Sequence, residues 1–150
     1  FWSRLREAEP AFHEFRAHLT GSSLPNMFSL CGRALQVDGN FGMTAGMTEM
    51  LLQSHRGELR FLPALPAEWS TGSISGLRAR GGFQVDMDWA DGELESAVLR
   101  SDLGRRCVIR TDLRIRVTSA GQEVVLEHSN RNQISFETTV GGTYRIEVVE

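Results

Sequence analysis

The period of the hydrophobic pattern changes once, near residue 57, and that change decides what the chain can fold into. Before it, apolar residues recur at helical spacing. Ala11, Phe12, Phe15 and Leu19 make one run, and Met43, Met47, Met50 and Leu51 make another, in a stripe that Ser54 continues. After it they alternate: in "FQVDMDW", Phe83, Val85, Met87 and Trp89 point one way while Gln84, Asp86 and Asp88 point the other. Two such patterns in separate blocks imply an α+β chain.

In the first block, Pro10 suits a first helical turn and Gly21 a stop, giving a helix over 10–19, with "FWSRL" as the tail of an earlier helix. A Ser/Gly/Pro-rich loop follows, then a helix over 41–55 with His55 in its last turn and Gly57 as its end. Ala45, Gly46 and Thr48 give this helix a face that another helix can approach closely. Two amphipathic helices cannot complete a bundle, so their remaining neighbours are expected upstream. The opening "FWSRLREAEP", with neither an initiator Met nor a leader pattern, fits a piece of a longer protein.

In the second block, "ELRFLPALP" is a short strand ended by prolines, and "SISGLRARGGFQVDMDWADGELESAVLRS" holds two or three strands with an Asp91-Gly92 hairpin turn. Further strands are expected near Cys107–Thr111, Arg114–Thr118, Glu123–Glu127, Gln133–Glu137 and Thr143–Val149. Turns fall at Ala120-Gly121, Asn130–Asn132 and Gly141-Gly142. Such short, regularly spaced strands predict an antiparallel sandwich or barrel.

Composition excludes several functions. A net charge of -3 with no basic run argues against nucleic acid or an anionic membrane as the main partner. No apolar run approaches the ~20 residues of a membrane-spanning helix. Cys31 and Cys107 fit no metal or redox spacing and read as two buried free thiols; His13, His18, His55 and His128 have no ligand spacing either. No metal or cofactor is expected. The carboxylates of the β block, such as Asp86 with Asp88, read as its solvated face.

One stretch stands apart. In "LQVDGNFG", Leu35–Gly42, either Asp38 or Asn40 can cap the following helix, with Gly39 and Gly42 easing the turn. Alternatively Asp38 is an inward carboxylate at the rim of a pocket, and Asn40 takes the cap.

Here the sequence resembles a known family. "QVDGNFG", "EMLLQSH", "LPALP" and "GLRARGGF" occur in order between residues 24 and 90. They are similar to segments in the C-terminal part of glycoside hydrolase family 95, the 1,2-α-L-fucosidases. The resemblance implies that residues 1–57 are the last helices of an (α/α)6 catalytic barrel and residues 58–150 a C-terminal β-sandwich domain. It implies inverting hydrolysis of terminal α-linked fucose, in which a glutamate protonates the leaving oxygen and water attacks the opposite face. The family's water is held by asparagines made more basic by an aspartate, and that role falls on Asp38. The acid and the asparagines belong to upstream segments. Substrate-binding residues are not assigned.

The implied partners are a fucosylated oligosaccharide or other plant or host glycan and the upstream barrel of the same polypeptide; the implied setting is periplasmic or secreted. Members often carry His-Pro-Pro-Phe before the Gln, where this chain has "CGRAL", Cys31–Leu35. That difference opens an α-L-galactoside as an alternative substrate. A different reading makes the β block a non-catalytic sandwich accessory or carbohydrate-binding module, which an exposed Trp89 or Tyr144 would favour. A third makes the chain an interaction module that meets a partner through Met43, Met47 and Met50.

Overall fold

The computed structural model describes residues 1–129 and 132–149. Three helices come first: α1 (Trp2–Leu5), α2 (Ala8–Gly21) and α3 (Val37–Leu51). Between α2 and α3 a small hairpin pairs β1 (Leu30–Cys31) with β2 (Ala34–Leu35). Gly32, at φ 61°, makes its turn.

The helices share a core of Ala11, Phe12 and Met50, which Ala64 and, from the side, Phe15 and Trp69 complete. Phe12 and Phe15 each present an edge-to-face ring to Trp69, at 5.6 and 6.1 Å between centroids. The expected small face of α3 is used by α1: at Gly46 a side chain would come 3.9 Å from Ser3 Oγ, and Ser3 is buried.

α3 ends earlier than its spacing predicts. The chain passes at Leu52 into β3 (Leu52–Gln53), which pairs with β4 (Arg60–Phe61). The reason is non-local. The amides of Leu62 and Ala64 take the carbonyls of Leu51 and Met50, at 2.8 and 3.1 Å, so the last turn is satisfied from outside. His55 and Gly57 therefore lie in the turn between β3 and β4, not at a helix end.

Beyond a short 3₁₀ turn at Ala67–Trp69, the β block is a sandwich of two antiparallel sheets. The larger uses β5 (Gly72–Ala79), β6 (Phe83–Ala90), β7 (Glu93–Ser101), β9 (Ile115–Ser119), β10 (Gln122–Glu123) and β13 (Gly142–Val148), in the order β10-β9-β13-β7-β6-β5. The smaller is β11-β12-β8, from β8 (Cys107–Arg110), β11 (Glu127–Ser129) and β12 (Gln133–Phe136).

The alternation in "FQVDMDW" holds, with Phe83, Val85, Met87 and Trp89 all buried. Phe136 from the small sheet meets Tyr144 from the large one at 5.4 Å between centroids. One core cluster takes in both sheets together with Leu51 and Leu52, so the end of α3 is rooted in the sandwich. Leu59 adds to the small sheet by a parallel bridge to Ile109.

Asp91-Gly92 and Ala120-Gly121 form hairpin turns with both residues at positive φ. Asn130 and Arg131, from the expected Asn130–Asn132 turn, lie outside the described residues. The expected Glu123–Glu127 strand divides: its first part pairs with β9 and its last residue with β12, so the segment crosses between sheets.

Cys31 is exposed on the small hairpin, contrary to the expectation of two buried thiols, while Cys107 is buried; neither is in a disulfide. Burial pushes the Cys107 thiol up to about 12. No described helix is long and apolar enough to cross a membrane.

Candidate active site

"LQVDGNFG" begins as a strand and turns helical sooner than expected. Leu35 ends β2, Gln36 is the N-cap residue, and Asp38 already sits in the first turn of α3. No side chain caps this helix, so neither Asp38 nor Asn40 fills the cap expected of them. Gly39 and Gly42 are likewise helical residues, not turn residues.

Asn40 works as a strut between the helix and the loop before it. Its Oδ1 accepts the Ser29 amide at 2.9 Å, and its Nδ2 donates to the Met27 carbonyl at 2.6 Å. A side-chain amide suits this task because it offers a donor and an acceptor to two adjacent backbone groups. Ser29 is 2% exposed, and its hydroxyl meets His18 Nε2 of α2 at 2.8 Å. The Gln36 amide donates to the Ser29 carbonyl at 2.9 Å. Ser29 thus ties three pieces together: α2, the hairpin and the start of α3.

Gly39 is what lets Ser29 come so close. A Cβ there would lie 2.8 Å from Ser29 Cβ and 3.1 Å from its Oγ, well inside normal contact. The glycine of this motif answers to packing and not to backbone φ.

Asp38 itself is exposed. Its Oδ2 accepts from Gln36 Nε2 at 3.0 Å. Among the described residues Oδ1 has no hydrogen-bond partner, which leaves that oxygen available to a donor from outside the chain. Met27, Phe28, Leu35, Val37 and Phe41, from the loop, hairpin and helix start that lead to and carry Asp38, are all exposed apolar side chains. A lone carboxylate beside such a rim gains field strength once another surface covers the rim and excludes water.

Residues 53–146 match the glycoside hydrolase family 95 C-terminal domain, and residues 1–51 match the glycosyl hydrolase family 95 catalytic domain. The chain belongs to glycoside hydrolase family 95. It is 36% identical over 136 residues to alpha-L-fucosidase 2 of Arabidopsis thaliana, covering 83% of this chain and 16% of that protein. It is 36% identical over 104 residues to the probable alpha-fucosidase A of Aspergillus oryzae, covering 59% of the chain and 14% of the relative. To the probable alpha-fucosidase A of Aspergillus niger it is 31% identical over 119 residues, covering 70% and 15%. The chain therefore spans only 14–16% of the length of these relatives.

The carbohydrate-binding reading meets the structure less well. Trp89 is 6% and Tyr144 4% exposed, so neither is a sugar platform. Trp89 Nε1 donates to the Trp69 carbonyl at 2.7 Å, and the Tyr144 hydroxyl accepts the Thr139 amide at 2.8 Å. Both are core residues with their polar tips satisfied. Of the methionine stripe, Met50 is buried while Met43 and Met47 line an apolar groove that Phe1, Trp2 and Phe15 continue.

Asp86 holds Arg100 at 2.8 Å and the Gly76 amide at 2.8 Å, a structural use of that strand's polar face. What sequence reasoning missed is the Ser29–His18–Asn40 anchor. Its members are 11 residues apart in each direction, and only the fold brings them together.

Proposed function

We propose that this chain is the C-terminal portion of an inverting α-L-fucosidase. Residues 1–57 would end its (α/α)6 catalytic barrel, residues 58–150 would form its C-terminal sandwich, and Asp38 would back an asparagine-held water. The observation that carries this reading is the state of Asp38. One oxygen is fixed by Gln36 and the other has no hydrogen-bond partner among the described residues, on a helix start pinned by Asn40 and Ser29. The matches to the two family 95 domains and to relatives named as fucosidases support the substrate class.

The chemistry needs this arrangement. A neutral amide is a weak base, and a carboxylate that accepts its N–H orients it and stabilises the charge it gains as water is deprotonated. Asp38 then never touches substrate and acts through the amide. The general acid and the amides themselves lie in the rest of the polypeptide, so the 150 residues alone are expected to be inactive.

The test is Asp38→Asn in the full-length protein, assayed for fucose release from 2'-fucosyllactose. A fall in kcat of about 10²–10⁴, the scale of a general base, is expected with KM little changed. A rate near that of the parent would return Asp38 to a surface role. The exposed Cys31–Leu35 hairpin, beside the same rim, gives a reason to run an α-L-galactoside in parallel. Faster turnover of the galactoside would reassign the sugar and leave the role of Asp38 standing.

A further inference from the structure

Where α1 ends, the 53–60 stretch and the edge of β8 enclose a cavity of about 400 Å³. Its lining carries five guanidinium groups, Arg4, Arg6, Arg56, Arg60 and Arg110, against one carboxylate, Glu58. The whole chain has a net charge of -3, so this concentration of positive charge runs against its overall balance.

Two of the five are compensated. Arg4 pairs with Glu49, and Arg110 Nε reaches Glu58 Oε1 at 2.6 Å. Glu58 is then fully engaged, since its other oxygen accepts Gln133 Nε2 at 2.5 Å. Among the described residues, Arg6, Arg56 and Arg60 have no carboxylate in salt-bridge contact. Arg60 is half-buried. Burial first, then the like charge of Arg6, moves its guanidinium below the usual value of 12.5. The fold therefore gathers positive charge into a partly dehydrated space, where the nearby Glu58 and Asp112 carboxylates do not outweigh burial and the charge of Arg6 at Arg60.

We propose that this cavity is a binding site for an oxyanion, held by the guanidinium groups of Arg6, Arg56 and Arg60. Guanidinium forks match the paired oxygens of phosphate, sulfate or carboxylate and hold them by charge-assisted hydrogen bonds. A neutral sugar hydroxyl offers no charge to balance them. The ligand is thus a free inorganic oxyanion or the acidic substituent of a glycan, which share this recognition chemistry. The site stands apart from Asp38 and does not depend on the catalytic reading.

The experiment is calorimetric titration of the full-length polypeptide with sodium phosphate, ionic strength being held constant with sodium chloride. A saturable heat is expected in the parent. The Arg6→Gln/Arg56→Gln double variant, altered only at exposed positions, is expected to bind at least about tenfold more weakly, as loss of charge-assisted bonds implies. Arg116→Gln, exposed on β9, should bind like the parent. A second titration with sodium glucuronate separates the sources: binding of both ligands assigns the site to an acidic sugar, binding of phosphate alone to a free oxyanion, and either sustains the proposal. No saturable heat with either ligand, as when an acidic segment of the rest of the polypeptide fills the cavity, overturns it. So does equal affinity in the double variant.

Discussion

Gly39 and Gly42 occupy the same helix three residues apart, and replacing each by Ala should have opposite consequences. Helix propensity favours Ala over Gly by about 1 kcal/mol at both positions. At Gly42 nothing lies within 4 Å of the added methyl, so that gain is realised in full. At Gly39 the methyl arrives 2.8 Å from Ser29 Cβ and 3.4 Å from His18 Cε1. Ser29 cannot retreat, because its amide, carbonyl and hydroxyl are all engaged. Overpacking of this kind costs about 1–3 kcal/mol, and a broken His18–Ser29 bond adds about 1 kcal/mol. Net of propensity, Gly39→Ala should loosen the helix start by about 1–3 kcal/mol, while Gly42→Ala tightens it by about 1 kcal/mol.

Hydrogen–deuterium exchange of the full-length protein reads this locally. Amides of residues 36–43 should differ between the two variants by roughly 1.5–3 decades in protection, at about 1.4 kcal/mol per decade. Equal protection in both variants would show that Ser29 yields freely and that the glycine is not a packing requirement.

Three further outcomes are expected. The Arg110 hydrogen bond holds the Glu58 carboxyl below its ordinary value of 4.5. Its contribution to stability is therefore complete above about pH 4.5 and is lost as pH falls through the folded-state value. Glu58→Gln should flatten the acid limb of a stability–pH curve, and an unchanged limb would remove Glu58 from the junction's electrostatics. Iodoacetamide at pH 8 should label Cys31 and spare Cys107, whose buried thiol is pushed up to about 12. Labelling of Cys107 in the native protein would contradict its burial. Gly72→Ala places a methyl 2.7 Å from Trp89 Cζ2 and should destabilise the sandwich by about 1–3 kcal/mol; an unshifted urea midpoint would count against that contact.

How much of this was legible depended on whether the decisive contact was local. The pattern Phe83-Val85-Met87-Trp89 and the Asp91-Gly92 turn are short-range signals, and β6, β7 and their hairpin follow them. Helix α2 likewise follows its own spacing. The start of α3 was misplaced because two glycines in four residues imitate a turn, whereas Gly39 is present for Ser29, ten residues earlier. Its end was misplaced because amides from residues 62 and 64 close the last turn. Glu123–Glu127 read as one strand because alternation does not say which sheet a residue joins. At the candidate site the motif alone marks Asp38 as either a cap or an inward carboxylate, and only the resemblance gives it the water-backing role. The role of Asn40 was not visible at all, since capping and bracing a distant loop demand the same residue type.

The rooting of α3 in the sandwich has a geometric consequence. Asp38 lies 13 residues before Leu51, so at 1.5 Å per residue it sits at the tip of an arm about 20 Å long. The arm's foot is clasped by Leu62, Ala64 and the β3–β4 pair. A tilt of only about 3° at the foot displaces the tip by about 1 Å, the misplacement that costs an enzyme about 10²-fold when it falls on a catalytic group. With Asp38 in the role proposed above, the sandwich sets the aim of a carboxylate it never touches. Substitutions that soften the sandwich near Leu52 or Leu59 should then appear as lost turnover before they appear as lost folding.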